Sequence, residues 1–140
     1  MRGERVVDAS VIGAAFFLEE FTDQARRFLL ETPHLIAPDH LHAEIASVAG
    51  KKVWREETTE QLGAAACAAL AGLVATTPTA TLAPRAFELA TRHRFSAYDG
   101  LYLALAESRQ APVYTFDGPF ARRAIKAGFK DLIEIPEALR

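Results

Sequence analysis

The sequence holds a single cysteine, Cys67, which excludes an internal disulfide and a cysteine-built zinc site. Lying among alanines, Cys67 is expected to act as a small buried hydrophobe rather than a reactive thiol. No window approaches the ~18 uninterrupted apolar residues of a membrane span. Met1 to Arg5 runs straight into a strand without an apolar secretory core, so a cytoplasmic location away from membranes is the expectation. Neither G-x-G-x-x-G nor G-x-x-x-x-G-K-[ST] occurs, which removes the nucleotide-loop readings. A strong excess of either charge is absent too. With a net charge of −2, nucleic-acid binding would have to come from a local basic patch.

What is present reads as one domain over residues 1–140, half of it hydrophobic and large enough to bury a core unaided. Val6-Val7 is a short apolar strand, and Ser10 to Glu20 reads as a helix with a buried face. Thr22 is expected to cap a helix from Asp23 to Glu31, and Leu35-Ile36-Ala37 to form a second strand. Asp39 is placed to cap a helix from His40 to about Arg55, with another from Glu57 to Leu73. Val74 to Pro78 is a third strand, and Pro84 suits the first turn of a helix ending near His93. Ser96 starts a helix over Ala97 to Arg109. Pro112 to Phe116 is a fourth strand, Pro119 opens a helix stopping near Gly128, and Asp131 to Ile135 is the last strand. Strands alternating with helices predict an α/β fold with a mainly parallel sheet.

In such sheets ligands gather beyond the carboxyl ends of the strands. Asp8 and Asp117 follow strands directly, while Glu44 and Asp99 sit near the starts of helices that begin at that same edge. Each has a bland explanation: Asp8 and Asp117 suit turns or caps, Asp99 completes a capping box with Ser96, and Glu44 lies about 60° off its helix's apolar stripe. Their shared edge is what argues for more. Four neighbouring carboxylates raise one another's pKa unless a cation compensates. Hard oxygen donors suit Mg²⁺ or Mn²⁺, and a site of that kind activates water and neutralises phosphate oxygens. His40 and His42 are two apart, share no helix face and make poor co-ligands of each other. A phosphatase built on a strand-end aspartate would need a second acid where Ser10 stands.

The segments VVDASV, HAEIASV, SAYDGLYLALAE and VYTFDGPFARRA together resemble the PIN-domain ribonucleases, the toxin members of VapBC-type toxin–antitoxin pairs in particular. The resemblance spans most of the chain. It implies a three-layer α/β/α fold with a five-stranded sheet ordered 3-2-1-4-5, and Mg²⁺ or Mn²⁺ held by Asp8, Glu44, Asp99 and Asp117. Ser10 and Thr115 match hydroxyl positions that support such a site. It implies too a metal-dependent endoribonuclease leaving 5′-phosphate and 3′-hydroxyl ends, a homodimer, and a small antitoxin that covers the site. Ser47 departs from the pattern, since many relatives carry asparagine there.

Basic residues form small clusters, of which Lys51 and Arg55 lie on the stripe of Glu44 and Arg122 and Arg123 closely follow Asp117. These four are the candidates for touching an RNA backbone. The run from Ala14 to Phe21 is a candidate partner surface, although core packing accounts for most of it. Two other readings stay open: a PIN-like module that binds RNA or protein without cutting, and a DNA-directed or structure-specific nuclease on the same fold.

Overall fold

The computed structural model describes residues 3–140. The chain alternates β1 (Arg5–Val7), α1 (Ala9–Phe16), α2 (Thr22–Glu31), β2 (Leu35–Pro38), α3 (Leu41–Trp54), α4 (Glu60–Leu73), β3 (Ala75–Thr77), α5 (Thr79–His93), α6 (Ala97–Arg109), β4 (Val113–Tyr114), α7 (Gly118–Lys126) and β5 (Ile133–Glu134). All strand pairs are parallel, and the sheet runs β3-β2-β1-β4-β5. The α/β fold and strand order expected from the sequence are the ones observed. Right-handed crossovers then put α1 to α4 on one face and α5 to α7 on the other.

The order reverses at β1, between the crossovers that run one way and those that run the other. Val6 and Val7 of this central strand are fully buried, as is Val113, and α6 is buried all round from Gly100 to Ala106. Phe28 of α2 stacks on Tyr114 of β4, with ring centroids 3.7 Å apart. Among the described residues, no helix is long and apolar enough to cross a membrane.

Several local expectations shift. α1 stops at Phe16 rather than Glu20, because the chain turns extended at Phe17 and is tied there by Thr22, whose hydroxyl donates to Phe17 O and accepts from Glu19 N. Thr22 is thus spent on the loop and does not cap α2. Asp39 does not cap α3; its carboxylate accepts from the N–H of Thr79 and so supports the start of α5, five residues before Pro84. Pro84 lies inside that helix instead of opening it. By contrast α6 starts and ends where the sequence places it, with Ser96 Oγ accepting from Asp99 N. Cys67 is half-buried between α3 and α4.

Helices α5 and α6 meet at Gly100. A methyl group there would stand 2.9 Å from the carbonyl oxygen of Ala86 and 3.3 Å from its Cα, both backbone atoms that cannot turn aside. Gly100→Ala is therefore expected to destabilise the protein by about 1–2 kcal/mol despite alanine's better helix propensity. Urea unfolding of the two proteins checks this, and an unchanged or raised midpoint would contradict the close approach.

Candidate metal centre

Asp8 leaves the end of β1 into α1, and only 7% of it is exposed. Its Oδ1 accepts from Ser10 N at 3.1 Å, Ser10 Oγ at 2.6 Å and Val11 N at 3.4 Å; its Oδ2 accepts from Thr115 Oγ1 at 2.5 Å. The capping reading of Asp8 therefore holds, and the residue does more. Thr115, fully buried beyond the end of β4, also accepts from Asp117 N at 2.9 Å. Ser10 Oγ accepts from Phe116 N at 3.0 Å. Ser10 and Thr115 thus lock the carboxylate at the end of β1 to the chain leaving β4, across the register pair Val7 and Tyr114.

Burial pushes the Asp8 carboxyl up to about 6. That value is a balance in which burial and the charge of Asp117 raise it while the Ser10 and Thr115 hydroxyls and the Val11 N–H lower it. Asp99, in the first turn of α6, is raised as well, first by burial and then by Asp117 and Glu44 against the pull of Arg123. The four acids therefore share one electrostatic field: Asp117 acts on Asp8 and Asp99, and Glu44 acts on Asp99. Asp117 also caps α7, accepting from Phe120 N at 3.0 Å.

Each acid is presently turned onto protein donors. Glu44 Oε1 accepts from Tyr102 OH at 2.5 Å, and Asp99 Oδ2 accepts from Arg123 Nη2 at 3.0 Å. Among the described residues, no three His, Cys, Asp or Glu side chains converge as they stand into a ready cation cage. The donor set nonetheless fits a hard divalent ion. It is a group of carboxylates in which the charges of Asp117 and Glu44 bear on the buried Asp8 and Asp99, at an edge where the His40 ring nitrogens lie buried without hydrogen-bond partners.

Two residues of this edge escaped the sequence reading. Tyr102, 3% exposed, reaches over the sheet edge from α6 to Glu44 on α3, joining elements on opposite faces. Burial raises its hydroxyl far above the usual tyrosine range, and the charges of Glu44 and Asp8 add to the shift. It therefore stays a hydrogen-bond donor to Glu44. His40 packs against Tyr102 and Tyr98, with centroids 5.0 and 5.8 Å away, and holds Nε2 3.1 Å from Glu44 Oε1. Spacing held only a hint of each: Tyr102 lies three residues after Asp99 and His40 four before Glu44, next to one of the acids along the chain's helical repeat, while the contact between Tyr102 and Glu44 belongs to the fold.

The four candidate RNA-binding cations divide. Arg123 pairs with Asp99, and Arg122 folds back so that a Cβ on Gly118 would meet its Nη1 at 3.0 Å. Lys51 and Arg55 sit at the far end of α3, about 10 Å or more along the helix from Glu44. Ser47 is exposed on the same helix. Of the Ala14 to Phe21 run, Ala14, Ala15 and Phe17 belong to the core, whereas Leu18 is 93% exposed.

The profile of the family described as "PIN domain" matches residues 5–126. Among solved structures, the fold is similar to the crystal structure of Mycobacterium tuberculosis VapC20, described as a sarcin–ricin loop cleaving toxin. The TM-score is 0.68 at 25% sequence identity, over 89% of this chain and 95% of that one. No curated protein matches the sequence.

Proposed function

This chain belongs to the PIN-domain family, and from that membership we propose that it is a metal-dependent endoribonuclease, the toxin half of a VapBC-type toxin–antitoxin pair. The observation that carries the reading is the gathering of four carboxylates on either side of the switch strand β1, where the charge of Asp117 acts on Asp8 and Asp99 and that of Glu44 on Asp99. Asparagine could cap α1 as Asp8 does without a buried charge, so the carboxylate at this position argues for a cation to receive it. Likeness to a toxin that cleaves the sarcin–ricin loop supports RNA as the substrate class.

Asp8, Glu44, Asp99 and Asp117 would hold Mg²⁺ or Mn²⁺. When bound, the cation supplies a water of lowered pKa and positive charge for the phosphate oxygens. The chain's own parts do the placing. Ser10 and Thr115 hold Asp8 from both carboxylate oxygens, so its orientation is fixed before anything binds. Tyr102 holds Glu44, and Arg123 offsets the charge of Asp99 in the metal-free protein. Cutting in this way leaves 5′-phosphate and 3′-hydroxyl ends.

The partner reading has its own support. An open groove of about 670 Å³ between α1, α2 and α4 is lined by Ala15, Phe16, Leu29, Leu30 and Leu73, and Leu30 is 86% exposed. An antitoxin segment with apolar side chains would cover it. Homodimer formation is part of the same proposal.

The test is cleavage of a panel of structured RNAs by purified protein with Mg²⁺, Mn²⁺ or chelator, beside the double variant Asp8→Asn with Asp99→Asn. Metal-dependent cutting that the variant lacks is expected, with 5′-phosphates on the products. RNA binding without cutting under any condition would favour the binding module instead, and cutting of DNA alone would favour a DNA-directed enzyme. For the basic residues, charge reversal at Lys51 and Arg122 is expected to weaken RNA binding and to flatten its dependence on log salt by about 0.7 for each lost phosphate contact. Unchanged affinity and slope would remove these residues from the interface.

A further inference from the structure

We propose that His40 is a further ligand of this cation, a nitrogen donor that makes the site favour Mn²⁺ over Mg²⁺. The inference rests on the metal-dependent reading above. Both ring nitrogens of His40 are buried without a hydrogen-bond partner among the described residues, although Nε2 stands 3.1 Å from Glu44 Oε1. The approach is close, yet an N–H on Nε2 would not point at that oxygen, so the pair has the separation of a hydrogen bond without its alignment.

Two ligands of one cation have that relation. At right angles on an octahedral ion, with bonds of about 2.1 Å, their donor atoms lie about 3 Å apart, and each lone pair is inclined roughly 45° to the line between them. A shared cation therefore gives the buried, unpartnered Nε2 of His40 a partner beside a carboxylate oxygen that Tyr102 already holds. The ring is also held in place for the task. It precedes α3, four residues before Glu44, and packs against the rings of Tyr98 and Tyr102. Tyr102 donates to the same Glu44 oxygen and so fixes the other half of the pair. Imidazole suits first-row transition ions, whereas Mg²⁺ prefers oxygen throughout, which is the source of the selectivity.

The experiment titrates Mn²⁺ and Mg²⁺ separately into the full chain without RNA, followed by calorimetry, for the natural protein, His40→Phe, His40→Gln and, as a control, His42→Phe. Pulsed electron paramagnetic resonance of the Mn²⁺-loaded proteins then reads nitrogen coupling to the ion. Removing His40's nitrogens is expected to weaken Mn²⁺ binding about tenfold or more, while Mg²⁺ binding changes less than about twofold. Nitrogen coupling should be present in the natural protein and His42→Phe and absent from both His40 variants. If the phenylalanine variant fails to fold, the glutamine variant carries the test. Equal losses for both ions would mean that His40 only packs against Glu44, and Mn²⁺ bound without nitrogen coupling would overturn the proposal while leaving the metal-dependent enzyme intact. A natural protein that binds neither ion would overturn both.

Discussion

Asp8→Asn is expected to lower RNA cleavage by about a hundredfold or more, the scale of removing one group that stabilises charge at a reacting centre. The same change should leave the metal-free fold at least as stable as before at neutral pH. Both effects come from one fact: a carboxylate 7% exposed is disfavoured as an anion by burial, and its charge, unlike its capping of α1, has a use only if something positive joins it. Asparagine keeps the shape. Its side-chain oxygen can still accept from Ser10 and Val11, while its amide nitrogen turns towards Thr115, whose oxygen can accept in place of donating. The pair of measurements is turnover with Mn²⁺ and thermal melting with chelator. Cleavage kept at the natural rate would place the chemistry elsewhere. A melting point that falls by many degrees would show instead that Asp8 is there to hold α1 in place.

Metal-free protein should lose stability as the pH rises from about 4 to about 6. The sign follows from the proton count. Burial raises the folded carboxyl of Asp8 to about 6 from an ordinary 3.8. Between those values the folded state holds a proton that the unfolded state has released. Its contribution is thus fully present below the ordinary value and is lost as the pH climbs through the folded one, on the order of 3 kcal/mol in all. Asp99 is shifted the same way and adds to the trend. Glu107, held below the usual range by Arg85, opposes it weakly from an exposed position. Melting curves of the chelator-treated natural protein and Asp8→Asn at several pH values check this. The gap in favour of the variant should widen with pH, and Mn²⁺ should close it near neutrality. Parallel curves would show that the buried charge is not the cause.

These effects depend on information of two kinds. The sequence by itself determined the alternation of strands and helices and so the parallel sheet, because short apolar runs and amphipathic stretches are local patterns. It determined α6 from Ala97 to Arg109, where Ser96 supplies the cap and the apolar run leaves no alternative register. It pointed to one edge for the four acids too, because a residue just after a parallel strand, or near the start of a helix that runs antiparallel to the strands, falls at their carboxyl ends.

Where local signals competed, tertiary structure decided. Thr22 and Asp39 are both good caps by sequence, yet one is spent on the loop after α1 and the other on Thr79, forty residues away. Partners within the site were undetermined for the same reason. Thr115 is 107 residues from Asp8, Tyr102 is 58 from Glu44 and Arg123 is 24 from Asp99. Helical spacing tells which face a side chain occupies; what stands opposite depends on how the sheet brings distant elements together. His40 is the clearest instance. Judged against His42 it shared no face, but folded between Tyr98, Tyr102 and Glu44 its nitrogens are buried beside an acid.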